Sequence, residues 1–281
     1  MAASLFECIA AARHRLLTAG IGALDAPLDA EILARGVLGW DRATLLTRGR
    51  EEPPDGFLER FQNVIQRRAR HEPVAQIVGH REFWGLEFEV TRDVLVPRPE
   101  TELIVEVALE IVDRTQSLNI LDVGTGSGCL GVSLGVELPE SRVTASDVSP
   151  AALAVARRNA ERHGVADRIR FLQSNLLDGL AGPFTLIVSN PPYVPSGEIL
   201  PRDVAEYEPH QALFAGTDGL DALRVLISSG PECLVPGGSL ILEFGFGQAE
   251  AVHSLASAAG WRTISIRPDL QGIERVGCLT K

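Results

Sequence analysis

Asn119-Ile120-Leu121-Asp122-Val123-Gly124-Thr125-Gly126-Ser127-Gly128 is the stretch from which the fold is read. A strand-like run, 119–123, ends in three glycines at alternate positions. Glycine lets the backbone turn sharply and lets a ligand approach with no Cβ in the way. In an open α/β sheet such a loop leaves the carboxyl edge, at the topological switch point where ligands bind.

Downstream, strand and helix signals alternate. Further strands are predicted over 142–147, 169–173, 184–189, 239–244, 261–266 and 275–280. Helices are predicted over 150–163, 220–228 and 249–259. Ser149 suits the cap of the first and Pro150 its N1 position. This alternation implies a mostly parallel sheet covered on both faces. No helix separates the last two strands, so one of them is expected to run antiparallel at the edge.

Upstream the texture differs. Leu5, Ile9, Ala12 and Leu16 repeat at helical steps, as do Asp29, Ile32, Leu33 and Val37, ending near Gly39. Phe57, Phe61, Val64 and Ile65 mark a third helix after Pro53-Pro54. Residues 1–73 are therefore read as a helical domain. Residues 74–97 are β-rich, with Phe83–Val90 and Val94–Val96 as strands and Gly85 and Arg92-Asp93 as turns. They are expected to form a hairpin linker to a third segment, 98–281. There, Pro97 and Pro99 end the extended stretch and Thr101-Glu102 opens a helix.

Composition narrows the function classes. The 281 residues carry a net charge of −11, which disfavours tight, sequence-indifferent binding to nucleic acid. The four cysteines form no CxxC pair and the six histidines show no ligand spacing, so no metal is expected. No apolar run approaches the ~20 residues of a membrane span. A cytoplasmic chain with a soluble partner is the expectation.

The glycine loop has competing readings. Gly126-Ser127-Gly128-Cys129-Leu130-Gly131 is a literal GxGxxG, which suits a dinucleotide pyrophosphate at a helix N-terminus. A tight turn with no ligand is another. S-adenosylmethionine is the third: it has no phosphate, and its sulfonium and amino groups suit a nearby acid, here Asp122. Asp147, at the end of the second strand, can accept both ribose hydroxyls under either ligand. Asn175 is placed to reach the adenine edge, with Leu176 over the ring; an ordinary turn residue is the other reading of Asn175.

The fourth strand ends in Asn190-Pro191-Pro192-Tyr193. The prolines fix φ and remove two donors, leaving carbonyls in set directions. Asn190 adds a side-chain oxygen and Tyr193 a flat face. This set suits a planar NH2 group. With both hydrogens held by the Asn190 oxygen and the Pro191 carbonyl, the nitrogen lone pair is aimed at one place. The acceptors also stabilise positive charge developing on nitrogen.

These motifs occur in a particular order. Gly79-His-Arg-Glu-Phe83-Trp84-Gly85-Leu-Glu-Phe88 and Val96-Pro97-Arg98-Pro99-Glu100-Thr101-Glu102 come first. Asp122–Gly128, Asp147-Val-Ser-Pro150, Asn190–Tyr193, Tyr207-Glu208-Pro209 and Ala212-Leu213 follow. Over nearly its whole length the chain resembles the HemK/PrmC family of protein-(glutamine-N5) methyltransferases. The resemblance implies an α/β class I S-adenosylmethionine-dependent methyltransferase fold, Rossmann-like, with a mostly parallel seven-stranded sheet. It implies a helical N-terminal domain that docks class-1 peptide chain release factors, and methylation of the glutamine in their Gly-Gly-Gln loop. It also implies that Gly124, Thr125, Gly126, Ser127, Gly128 and Asp147 hold S-adenosylmethionine, and that Asn190, Pro191, Pro192 and Tyr193 hold the glutamine. Arg98 and Glu100, in the linker signature, are expected at the substrate site; for Glu100, Thr101 and Glu102, ordinary N-capping of the following helix is an equally good reading. Many relatives carry Asp where this chain has Asn175. A monomer is expected.

Two other functions remain in view. An exocyclic amine of adenine or guanine could occupy the same corner, but that chemistry needs an extruded base and a basic track. A dinucleotide-dependent oxidoreductase would leave the Asn-Pro-Pro-Tyr corner unexplained.

Overall fold

The computed structural model describes residues 3–180 and 182–281. It divides into two compact units. One comprises residues 1–79 together with Leu200–Tyr207, the other His80–Ile199 and Glu208–Lys281.

The first unit contains α1 (Leu5–Thr18), α2 (Asp25–Leu38), α3 (Arg42–Arg48), α4 (Phe57–Ala69) and α5 (Val74–Val78). Ser4 and Glu7 close a reciprocal capping box at the start of α1, at 3.3 and 2.7 Å. Gly39 ends α2 in the left-handed region. Leu5, Leu16, Leu33, Phe57, Phe61 and Ile65 form the core, with the two Phe rings stacked at 5.0 Å. Arg68 and Asp29, both buried, pair at 2.6 Å inside it. Residues 200–207 join this unit through Gln76, which donates to the Tyr207 carbonyl at 3.1 Å, and through Tyr207, whose hydroxyl donates to the Arg70 carbonyl at 2.9 Å.

The second unit begins with a hairpin, β1 (His80–Phe83) and β2 (Leu86–Glu89). Trp84 and Gly85 form its turn with φ of +54 and +69°, the two positive values that match a tight two-residue connection to strand twist. The expected 74–97 linker is corrected here. Residues 74–78 are helical, Val94–Val96 is not a strand, and the hairpin buries Phe83 and Phe88 in the same core as Ile104 and Leu130. Trp84 anchors it further: its backbone N–H donates to Glu102 and its indole N–H to Glu137, both at 2.9 Å.

Next come α6 (Glu102–Ile111), β3 (Asn119–Val123), α7 (Cys129–Glu137), β4 (Arg142–Asp147), α8 (Pro150–Arg162), β5 (Ile169–Gln173) and β6 (Phe184–Ser189). After α9 (Arg202–Tyr207), in the other unit, the chain continues through α10 (Asp221–Cys233), β7 (Leu234–Glu243), α11 (Ala249–Ala258), β8 (Thr263–Pro268) and β9 (Glu274–Thr280). Seven strands form one sheet in the order β5-β4-β3-β6-β7-β9-β8. All pairings are parallel except those of β9 with β7 and β8. The antiparallel strand therefore lies inside the sheet, not at its edge as expected. The chain leaves β7, runs through α11 to the edge as β8, and folds back into the gap as β9.

Strand β3 is central in this topology. From it the chain moves outward on one side through β4 and β5, then returns to build β6 on the other. The loops after β3 and β6 thus leave neighbouring strands at the same sheet edge, the crevice where open α/β sheets bind ligands.

Candidate active site

A cavity of about 540 Å³ opens at that edge. Its lining includes Gly124 to Ser127 from the loop after β3, Asp147 after β4, Asn175 and Leu176 after β5, and Asn190 and Pro192 after β6.

The glycine loop is held from below. Thr125 N–H donates back to the Ser146 carbonyl at 2.9 Å. Asp122 is fully buried, and its Oδ2 accepts from the Thr125 hydroxyl at 2.6 Å and the Gly131 N–H at 2.9 Å. Gly131, the last glycine of the GxGxxG match, is needed here because a Cβ would lie 2.9 Å from that carboxylate oxygen. Burial pushes Asp122 up to about 6 and the neighbouring Cys129 thiol up to about 12, so the cysteine stays a thiol. Asn159, fully buried on α8, donates to the Ser127 carbonyl at 2.8 Å and exchanges bonds with the Glu89 backbone. It ties loop, helix and hairpin together.

Asp147 faces the loop from β4. Its Oδ2 accepts from Gly126 N–H and its Oδ1 from Ser149 N–H, each at 2.9 Å. Two backbone donors aim the carboxylate and leave each oxygen able to accept again. Burial raises its pKa, and these backbone bonds oppose the rise. Leu176 takes a left-handed φ of +48°, a strained conformation for a branched side chain, and lines the cavity.

On the opposite side, Asn190 donates from Nδ2 to the Thr101 hydroxyl at 2.9 Å. Thr101 donates to Glu243 Oε2 at 2.7 Å, and the Tyr193 hydroxyl donates to Glu243 Oε1 at 3.0 Å. Thr101 and Glu243 are each 1% exposed. Gln248 fixes the exit of the corner, donating to the Tyr193 carbonyl at 3.1 Å. Arg98 pairs with buried Glu208 at 2.7 Å on the cavity wall.

Known proteins share both units. Residues 7–79 match the model of the PrmC N-terminal domain, and residues 101–206 that of the methyltransferase small domain. The release factor glutamine methyltransferase of Burkholderia pseudomallei is 46% identical over 262 residues, 90% of each chain. That of Deinococcus radiodurans is 40% identical over 272 residues, 96% of each chain. This chain belongs to the release factor glutamine methyltransferase family. Among solved structures, a methyltransferase from Pyrococcus furiosus superposes with a TM-score of 0.53 at 20% identity, covering 79% of this chain and 98% of that one. The hMettl16 catalytic domain, solved with an RNA hairpin, gives 0.57 at 15% identity over 80% and 81%. Both likenesses establish the class I methyltransferase fold.

The family's cofactor is S-adenosylmethionine, and the residues present fit it. Gly124 and Gly126 have φ of +71 and +55°, and a Cβ at Gly124 would meet no atom within 4 Å, so the loop presents a bare, open face. Asp147 offers two aimed oxygens to a diol, and Leu176 with Val148 an apolar wall to a flat ring.

For this member of the family, the cavity gathers Arg98, Gly124, Thr125, Gly126, Ser127, Asp147, Asn175, Leu176, Asn190 and Pro192. Five expected residues are not on its lining. Asp122, expected beside the cofactor's positive groups, points under the loop, because the Thr125 hydroxyl and an amide at the N-terminus of α7 take its charge. Tyr193, expected to offer a flat face, packs against the core that includes Leu242 and Phe244, with its hydroxyl on Glu243. Pro191 is buried, and Glu100 sits in a short turn from which Thr101 is the residue directed inward. Gly128 also lies off the lining; its φ of +85° and the approach of Ala156 Cβ, at 3.1 Å from a built Cβ, make it a packing glycine. The sequence reading missed Glu243, Gln248 and Asn159.

Proposed function

We propose that this chain transfers the methyl group of S-adenosylmethionine to the side-chain amide nitrogen of the glutamine in the Gly-Gly-Gln motif of class-1 peptide chain release factors. The products are N5-methylglutamine and S-adenosylhomocysteine. Family membership supports the reaction. The carrying observation is that an amide-accepting corner and a glycine loop with an aimed acid share one cavity.

When bound, the cofactor supplies an electrophilic methyl on its sulfonium. Asp147 accepts from the ribose hydroxyls, Gly124 to Ser127 give the close backbone approach, and Asn175 with Leu176 borders the adenine. The Asn190 oxygen accepts one hydrogen of the substrate carboxamide, and the backbone of the corner, which reaches the cavity at Pro192, is read as accepting the other. The carboxamide nitrogen is then held with the lone pair directed along the cavity. These acceptors are oriented before reaction, so charge gained by the nitrogen is met without rearrangement. The nitrogen becomes acidic only once alkylated, so its proton leaves afterwards and no strong base is required. Pro192 and Arg98, the latter held by Glu208, line the same cavity.

The helical unit is read as the docking module for the release factor. The same reading extends to a cytoplasmic monomer acting on protein, not on nucleic acid or a membrane. The charge of −11 supports it, and no helix among the described residues is long and apolar enough to cross a membrane. The test is mass spectrometry of a purified class-1 release factor, and separately of RNA, after incubation with labelled S-adenosylmethionine. Label on the Gly-Gly-Gln glutamine is expected; label on RNA alone would overturn the reading.

A further inference from the structure

The Asn190 carboxamide has two ends of opposite character, and the substrate has two hydrogens to be accepted. Only Oδ1 can serve; an Nδ2 facing the cavity would set donor against donor. Something must choose between two orientations of nearly equal shape.

The buried groups behind Asn190 make that choice. An ionised carboxylate only accepts, and both oxygens of Glu243 receive a hydroxyl: Tyr193 at 3.0 Å and Thr101 at 2.7 Å. A hydroxyl has one hydrogen. Thr101 commits it to Glu243, so toward Asn190 it has only lone pairs to offer. The 2.9 Å contact between them must then be made by the Asn190 NH2 group. Oδ1 is left toward the cavity, and no donor among the described residues reaches it.

We propose that Glu243, acting through Thr101, is a positioning residue that sets the hydrogen-bond polarity of the substrate pocket by holding Asn190 with its oxygen outward. This rests on the glutamine reading above. Glu243 lies off the cavity lining and Thr101 reaches the wall behind Asn190; the effect argued for both is on which atom of Asn190 faces the substrate. The relay works in one direction only while Glu243 is ionised. Protonated, Glu243 has one oxygen that donates; with the hydrogen on Oε2, Thr101 accepts it and its own hydrogen is free to turn toward Asn190. Thr101, Tyr193, Glu100, Arg275 and Cys129 are the polar and titratable groups that surround it. Burial raises the carboxyl above its usual range, with Glu100 raising it further and Thr101, Tyr193 and Arg275 opposing.

The test uses the full chain with purified release factor. Glu243→Gln and Thr101→Val should each lower kcat by about 10²-fold, the scale of a small misplacement in a pre-organised site, with S-adenosylmethionine affinity within about twofold of wild type. Thr101→Ser, which keeps the hydroxyl, should recover most of the loss. Wild-type kcat should fall as the medium is acidified through the Glu243 titration, and Glu243→Gln should lack that limb. If both variants keep kcat within about threefold and the same pH profile, the relay is wrong. One readout is independent of turnover: the side-chain NH2 resonances of Asn190 in 15N-labelled protein. Thr101→Val should shift them and speed their solvent exchange. Unchanged resonances would overturn the inference whatever the enzyme methylates. A wild type that leaves the release factor unmodified would overturn the function reading alone. Should Glu243→Gln fail to fold, Thr101→Val decides the matter.

Discussion

Asn190 and Asp147 sit on opposite sides of one cavity, and the structure separates their consequences. Asn190→Ala should remove about 10²–10³-fold of turnover, the usual cost of deleting one pre-organised polar contact, while calorimetric titration with S-adenosylmethionine stays unchanged. Asp147→Ala should do the reverse at the binding step. Loss of a charge-assisted bond to the diol costs about 1.5–3 kcal/mol, which the same titration would show as weaker affinity. Asp122 behaves unlike either. Burial lifts it to about 6, above an ordinary carboxyl near ~3.9, so the folded chain holds this proton more tightly than the unfolded one. Its contribution to stability is complete below about pH 4 and is lost as pH rises to about 6. Relative to Asp122→Asn, the wild type should lose about 3 kcal/mol over that window in urea melts, with no further change above it.

The legibility of single residues followed from how local their chemistry is. Asn190 and the loop glycines were readable because a rigid corner and a sharp turn need particular residue types in sequence. Glu243 was not, since an acid closing the apolar run Leu240-Ile241-Leu242 looks like any strand end returning to water. It is in fact fully covered, and its two partners come from positions 101 and 193. Asp122 was misassigned because proximity to the glycines said nothing about which side of the strand its carboxylate leaves.

At the scale of elements, the strand-to-helix turn after β3 carries most of the constraint. Gly128 takes φ +85°, and an added Cβ would meet both Cα and Cβ of Ala156 at 3.2 and 3.1 Å. A left-handed non-glycine residue costs roughly 1–2 kcal/mol before any clash. Gly128→Ala should therefore lower the melting temperature more than Gly124→Ala, whose Cβ would enter open space. Differential scanning calorimetry of the two variants checks the order. The four strands between 119 and 189 were legible as short apolar runs and α8 by its cap, whereas α7 was not predicted and, among the described residues, no helix separates β5 from β6. The order of β8 and β9 was not plain. Either could occupy the edge by its own pattern, and the choice is made by pairing with β7, far away in sequence. The short helices α3 and α5 span only 7 and 5 residues, too few for a periodic signal to emerge.

At the scale of the whole molecule, the chain passes between the two units three times, after residues 79, 199 and 207. The sequence reading placed boundaries after 73 and 97 and kept 98–281 together. It had no means to do otherwise, because α9 has six residues and buries none of them. Arg68 is the buried link. It pairs with Asp29 and lies 3.8 Å from Asp203. Arg68→Met should leave Asp29 uncompensated and destabilise the helical unit by about 3–5 kcal/mol. Hydrogen-exchange mass spectrometry should then show faster exchange over 200–207 with the central strands of the sheet unaffected.

That excursion has a bearing on how the chain is made and recombined. When residue 79 clears the ribosome, the segment that meets Arg68, Arg70 and Gln76 is still encoded beyond the fourth strand of the large sheet, so those contacts form only after much of the neighbouring unit has been synthesised. For the same reason, a chimera that exchanges the amino-terminal helices between two homologues inherits a mismatched α9 unless that segment is transplanted with them.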